Sequence, residues 1–548
     1  GAGTGNYAAG TNSVVVAGTA NKVLDVRSSI VAGTNNTISG TDSFIGGGGS
    51  NVSSSSFTFI GAGLGNTVNG QYSTVVAGLN NIILGVRSFI GAGETNFIGG
   101  NRGVIVCGIS NQIGANHCFV GAGQNHLITG TAGVIVGGTA NKIYVADCGI
   151  VGGNANIISG ATSFLGGGAS NFIRNQYGVI GGGQSNVVSG DYAVIAGGQS
   201  NLVYATGFIG GGDTNKALAV CNVVAGGQYN YASSDFASIL GGRSNTGMAQ
   251  YATVAGGTRN LAFGTYSFVG GGLNNRASGA ATAIVGGISN FAVGSGSALI
   301  GGTSNVINGV NSFIGAGSVH SIDSSSLNCI IVGGNTNTIT TATNSTIGGG
   351  ELNTIVVSNS TLCGGNLNAI YGQNGFLGGG ASNNISNANA TYATIGGGNV
   401  NLIASQFGAI LGGASNTIDT NSDYAVIGGG STNYTSGLFA AILGGFGNTV
   451  TGKHGTAIGH NGNVRHSGAM VMSDGRITNK FSVCPNSLAL HFESGVYVSG
   501  GNLFLHQNYG VPATAGSAGK PGQLAVSGAF LYVCTGANSW GRTALVSW

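Results

Sequence analysis

Apolar residues recur along this chain with a period far longer than a helix or a single strand. An Asn stands at 6, 21, 36, 51, 66, 81, 96 and 111, a step of 15 residues, and resumes at 141, 156, 171, 186 and 201. It continues at 215, 230, 245, 260, 275, 290 and 305, then at 337, 353, 368, 383, 401, 416, 433, 448 and 463, with His126 and His320 in two further slots. Counting each coil back from its Asn, position −6 is Ile, Val or Leu (Ile45, Ile180, Ile239). Position −4 is Gly or Ala with Cys107 the one departure, and −3 is Gly in nearly every coil (Gly33, Gly48, Gly183). Val or Ile follows two residues after most of the Asn (Val23, Ile38, Ile143). Each coil therefore reads as two short β-runs separated by Gly-rich corners, where Gly supplies the positive φ of a tight turn. A fixed period of this kind is the signature of a solenoid. The 31 coils over residues 1–463 stack, at one strand spacing each, into a rod of roughly 150 Å.

The longer repeats, ending at Asn337, Asn353, Asn401 and Asn433, keep the apolar residue at −6, so their extra residues fall upstream at one corner. Position −7 holds Phe in nine coils: Phe44, Phe59, Phe89, Phe119, Phe164, Phe208, Phe268, Phe313 and Phe376. In all nine, −5 is Gly; in most other coils −5 holds a side chain, as in Ser29/Val31, Ser238/Leu240, Ala298/Ile300 and Ala441/Leu443. Residues two apart on a strand share a face, so this exchange reads as the filling of one fixed volume, a buried face. Position −6 points the other way and is apolar too. Strands apolar on both faces need cover on both, and one solenoid has a single interior. The expectation is that sister copies cover the second face and that the Phe row packs between chains.

The recurring Asn, for example Asn21, Asn36, Asn51, Asn66, Asn81, Asn96, Asn111, Asn141, Asn156, Asn171, Asn186 and Asn201, reads as a structural amide ladder bonding to backbone or to the Asn of the next coil. Position −9 is variable. Tyr177, Tyr192, Phe236, Tyr251, Tyr266, Tyr392 and Tyr424 there read either as an unremarkable outer edge or as a contact surface for glycan or protein. The coils from Asn215 to Asn290 carry Ala217, Ala232, Gly247, Ala262, Ala277 and Ala292 where others have Val or Ile, which implies a thinner core.

The pattern, quoted as Tyr192-Ala-Val-Ile-Ala-Gly-Gly-Gln-Ser-Asn201 and Tyr266-Ser-Phe-Val-Gly-Gly-Gly-Leu-Asn-Asn275, resembles the head repeats of YadA-like trimeric autotransporter adhesins. Thr456-Ala-Ile-Gly-His-Asn-Gly-Asn463 with His466-Ser-Gly-Ala is similar to the end of such heads, although the usual family coil is one residue shorter. The resemblance implies an all-β fold: a left-handed parallel β-roll of 15-residue coils in a homotrimer. After residue 463 the composition changes, since all three Pro and both Trp lie there. Val496-Tyr-Val-Ser and Asn502-Leu-Phe-Leu-His read as antiparallel strands. Gly522-Gln-Leu-Ala-Val-Ser-Gly-Ala-Phe-Leu-Tyr-Val-Cys-Thr535 with Trp540 and Arg542 resembles terminal modules of phage and viral fibres. The expected division is a shaft over 1–463 and a small antiparallel β tip over 464–548.

Composition narrows the function. The 548 residues include 110 Gly, yet 42% are apolar, 5% are charged and the net charge is +3, which is a chain with a core and not a disordered one. No basic run tracks a phosphate backbone, and no apolar stretch is long enough for a spanning helix. Nucleic acid and a membrane-spanning segment are therefore not expected. The triple-Gly runs lack a following Gly-Lys-Ser/Thr, the ten Asp are too scattered for a Ca²⁺-binding roll, and Thr forms no regular array for ice. The eight Cys show no metal spacing and read mostly as small core residues. His454, His460 and His466 are the one candidate metal set, tripled if they lie near a trimer axis. No catalytic constellation and no cofactor are expected. The chain opens inside a repeat, as a fragment or processed product does, and no membrane-anchoring barrel pattern closes it. The expectation is a virion fibre or spike at the particle surface that attaches to, or holds a tip toward, a host receptor such as a glycan. A bacterial cell-surface adhesin head is the alternative, and a structural extracellular filament the third reading.

Overall fold

The computed structural model describes residues 2–475, 480–497, 512–518, 522–527 and 530–544. Two ladders of 32 strands each run its length. Almost every strand is two residues long, such as Lys22–Val23 and Ser29–Ile30, because a corner follows as soon as one side chain has pointed out and the next has pointed in. Each strand pairs in parallel with its equivalents one coil before and after: Lys22↔Thr37 and Val23↔Ile38 on one ladder, Ser29↔Phe44 and Ile30↔Ile45 on the other. A third side, not anticipated from the hydrophobic pattern, is a chain of single parallel bridges at −2, such as Thr34↔Gly49, running from Thr4 to Phe446. The coil is three-sided. The outcome is an all-β parallel solenoid of about 15 residues per coil with a small antiparallel sheet at its C-terminal end.

The −6 and +2 residues fill the interior. Ile30, Ile45, Ile180 and Ile239 from one wall meet Val23, Ile38 and Ile143 from the other, all fully buried. Each such side chain contributes roughly 1.5–3 kcal/mol by leaving water. The ladder Asn also lies inside. The Asn36 backbone N–H donates to Oδ1 of Asn21 at 3.0 Å, while its Nδ2 donates to the Ala32 carbonyl at 3.3 Å and to the Gly48 carbonyl of the next coil at 3.0 Å. Each side-chain amide thus ties the backbone of its own coil to that of the next, and direct amide-to-amide bonds such as Asn36 to Asn21 are an addition in some of them. His126 and His320 keep only part of this. Each accepts the next Asn N–H at Nδ1, at 3.2 and 3.1 Å, but leaves a buried Nε2 without a partner, and desolvation holds both imidazoles below the usual histidine range.

A second internal ladder stands at −8. Ser28 Oγ donates to the Gly40 carbonyl at 2.8 Å and accepts the Ser43 N–H at 3.0 Å; Ser43 repeats the pattern toward Ser55 and Thr58. Cys118, Cys148 and Cys329 take the same slot, with Sγ donating to carbonyls at 3.2–3.3 Å, and burial pushes their thiols up. Cys534 is buried in the C-terminal sheet, Cys107 is half-buried, and Cys221, Cys363 and Cys484 are exposed; all eight are free. In the alanine-rich coils the walls close together. Asn222 turns inward at −8 and bonds the Ala232 carbonyl at 2.9 Å, and a Cβ at Gly247 would sit 3.4 Å from that of Ala237.

The ladder ends one coil earlier than the 15-residue step implies. Gly462 donates its N–H to Oδ1 of Asn448 at 2.9 Å, and Asn463 pairs with Thr449, one place past the slot. The cause is a coil one residue short, taken up by a register shift between Ile442 and Gly444. Lys480 pairs with Gly462 and fills the slot next. It is fully buried, with Nζ donating to the His460 carbonyl at 3.3 Å and lying 3.7 Å from Asp474. Parallel stacking therefore continues past residue 463 through Met470–Asp474 to Leu488–His491. The antiparallel strands are Leu524–Ser527, Phe530–Gly536 and Ser539–Ala544. Of the strands expected in between, Val496 and Tyr497 are exposed and outside any strand, and Val498, Ser499 and Asn502–His506 lie outside the described residues.

Candidate interaction surfaces

Position −6 is the inward one, so −7 and −5 face out. Phe59 is 39% exposed and Phe164 46%, and at −5 Leu240 and Leu411 reach 55% and 62%. On one chain this face is open. At the Phe/Gly pairs two local contacts meet: the carbonyl of the next coil, that of Val76 at Gly61, crowds a Cβ at the Gly, and the Phe ring folds toward the same place. A Cβ at Gly61 would come within 3.3 Å of Phe59 Cε1, and one at Gly46 within 3.4 Å of Phe44 Cε1. What remains without a local cause is an outward apolar row from Val14 and Val16 to Leu443, far longer than the patches of a few hundred Å² that lone soluble proteins expose.

Beside that row runs the −4 column. A Cβ built on Gly152, Gly167, Gly197, Gly211, Gly226, Gly241, Gly256, Gly271, Gly286, Gly301 or Gly412 meets nothing within 4 Å, and none of these residues has positive φ. At these eleven positions the chain's own fold leaves room for a side chain, whereas Gly349, Gly379, Gly429 and Gly444 of the same column have φ of 147–159°, which itself favours Gly. Every coil through Asn448 has Gly or Ala here except for Cys107. Beyond Asn448 the restriction ends. Ile458 pairs with Gly444, Met472 with Ile458 and Leu490 with Met472, so large apolar residues take over the column.

The −9 residues form a corner in the left-handed region, from Asn12 at φ 63° to His454 at φ 55°. Asn and Gly adopt that conformation most readily, and Asn311, Asn328, Asn344, Asn359 and Asn374 fit it directly. The aromatic residues there stack from coil to coil: Tyr177 on Tyr192 at 4.6 Å, Phe236 on Tyr251 on Tyr266 at 4.9 and 4.8 Å, and Tyr392, Phe407, Tyr424, Phe439 and His454 in one run at 4.7–5.0 Å. Ring faces are therefore taken up by neighbouring rings. The surface offers ring edges and Tyr hydroxyls along each stack, and a ring face only at the stack ends, as at Tyr192 and Tyr266.

His454, His460 and His466 do not converge. His454 stacks on Phe439, His460 lies tilted against Phe446 at 4.9 Å on the bridge side, and His466 Nδ1 lies 2.8 Å from Ser482 Oγ. Among the described residues no group of His, Cys, Asp or Glu could hold a metal, and no helix is long and apolar enough to cross a membrane. Sequence reasoning passed over the −8 ladder and, though it records Gly or Ala at −4, the cause of that column; the −8 ladder is visible as a column of small residues once the coils are aligned. No protein-family model matches the chain, and no curated protein matches it.

Proposed function

We propose that this chain is the shaft of a homotrimeric fibre or spike on a virion, a structural and not a catalytic part, which holds an attachment surface toward a host receptor. The observation that carries this reading is the −4 column: side chains are excluded coil after coil where the chain itself has space for them, beside a continuous apolar row. Something outside the chain approaches closely there, along the run of coils from Gly152 to Gly301 above all. A partner that does so must repeat at the same spacing, about 4.8 Å, over the whole rod, and a second copy of this chain has that period. Copies related by closed rotational symmetry bury the row around one axis; three of them, as the resemblance implies, give the trimer. The C-terminal sheet then lies at one end, where the column of small residues gives way to Ile458, Met472 and Leu490.

Light scattering on the purified chain tests the assembly. A mass three times that of the chain is expected, and a variant with Gly226→Leu, Gly241→Leu and Gly256→Leu should retain its β circular dichroism but lose that mass. A parent chain that stays monomeric at micromolar concentration overturns the assembly. For the attachment role, purified chain should block adsorption of the particle that carries it, and full adsorption at saturating chain would refute it.

A further inference from the structure

The −9 corner carries a run of five residues in consecutive coils, Phe57, Tyr72, Arg87, Arg102 and His117, all with φ between 56° and 60°. Asn or Gly would hold this conformation at less cost, so the side chains here are kept in spite of the backbone. For Phe57 and Tyr72 the return is visible, since their rings stack at 4.8 Å. For the two arginines it is not. They stand one coil apart, about 4.8 Å of rise, and like charges placed directly opposite across a ladder repel. Neither has an ion pair among the described residues. The same column shows how the fold satisfies an arginine elsewhere: Arg27 makes a two-pronged bond with Asp42 of the next coil, Nε to Oδ1 at 2.6 Å and Nη2 to Oδ2 at 2.7 Å. No carboxylate is supplied to Arg87 or Arg102. Asp42 is engaged and three coils away, Asp147 lies two coils beyond His117, and Glu94 stands on the −2 side.

The two guanidiniums are held in place. Arg87 lies 5.8 Å from the centre of the Tyr72 ring, and Arg102 Nη1 is 2.7 Å from His117 Nε2. The corner backbone beside them is pinned by an outer amide ladder, Val86 N–H to Asn101 Oδ1 and Asn101 N–H to Asn116 Oδ1, both at 2.8 Å. Together Val86, Arg87, Asn101, Arg102, Asn116 and His117 line an open depression of about 400 Å³. Guanidinium forks with no carboxylate partner of their own match the paired oxygens of an oxyanion.

We propose that Arg87, Arg102 and His117 form a binding site for an oxyanion, a sulfate or carboxylate group, either free or carried on an acidic oligosaccharide lying along this corner. The neighbouring Tyr72 and Phe57 edges extend the site over about four coil spacings, roughly 19 Å, which suits a chain-borne group. The site belongs to a single chain's corner and stands apart from the assembly proposed above.

The test is calorimetric titration of the full chain at low ionic strength, with sodium sulfate and with a sulfated oligosaccharide as probes. Binding of at least one probe is expected. Arg87→Gln with Arg102→Gln should weaken it at least tenfold, whereas Arg27→Gln, in the same column but engaged with Asp42, should change it less than twofold. Oligosaccharide affinity tenfold or more above that of sulfate identifies the chain-borne group as the ligand, and equal affinities identify the free anion. The thermal midpoint of the double variant should equal or exceed that of the parent, since a repulsion is removed. The proposal is overturned if the parent binds neither probe, if Arg27→Gln weakens binding as much as the double variant, or if the double variant melts below the parent.

Discussion

Gly197 and Gly198 are adjacent in sequence and belong to two glycine columns with different causes. A Cβ on Gly198, at φ +94°, would fall on the carbonyl oxygen of Gly212 and close to Nδ2 of Asn201; a Cβ on Gly197 would touch nothing. The first column is dictated from inside the coil, because the backbone must turn left-handed and the next layer passes directly over it. The second is dictated from outside. A single amino-acid type, frequent in both, therefore answers two separate questions, one about how the chain folds and one about what it meets.

Substitutions can break this contrast or sharpen it. Gly198→Val, which adds a branched side chain where positive φ and a carbonyl forbid one, should cost the most, about 3 kcal/mol or more, read as early unfolding in urea and as a new proteolytic nick at that coil. Asn186→Ala removes the amide that donates to the Gly198 carbonyl from the coil before. It strips donors from the Gly182 and Gly198 carbonyls and the acceptor from the Asn201 N–H, and should cost about 2–3 kcal/mol in the same measurement. His126→Asn with His320→Asn should do the reverse and stabilise by about 1 kcal/mol at neutral pH, by giving two ladder slots the amide they lack. The same pair sets a pH dependence. Buried imidazoles whose folded pKa lies below the ordinary 6.5 give their full support above that value and lose it as the pH falls beneath it, because the unfolded chain takes up the protons first. Thermal midpoints of the parent should therefore drop more between pH 7 and pH 5 than those of the double variant. Gly197→Ala should have the smallest effect on the isolated fold, within about 0.5 kcal/mol.

Much of the coil was readable from the sequence because each column is sampled in every repeat. Ile30 inward and Val31 outward follow from periodicity alone, as does the structural place of the Asn. Three features were not readable, each for a physical reason. The Phe/Gly exchange looks like packing against a distant surface, whereas Phe59 lies over Gly61 of its own strand; spacing does not distinguish a contact within a coil from one across an interface. Asn463 falls 15 residues after Asn448 and so satisfies the count, but the bulge at Leu443 shortens the coil by one, and Gly462 arrives in the slot instead. The aromatic corner residues read as an outer edge or as a contact surface, and spacing alone did not show that a left-handed corner aligned at one coil spacing stacks their rings on one another.

The direction of the amide ladder has a mechanical consequence. Its bonds, like those of the strand ladders, run from layer to layer along the rod, so a pull on the two ends loads the layers in series and the least-tied layer yields first. Where Asn36 ties its layer to Gly48 through Nδ2, His126 and His320 have a buried ring nitrogen with no partner. Under tension the rod should part beside those two rings, at places set by chemistry and not by chance.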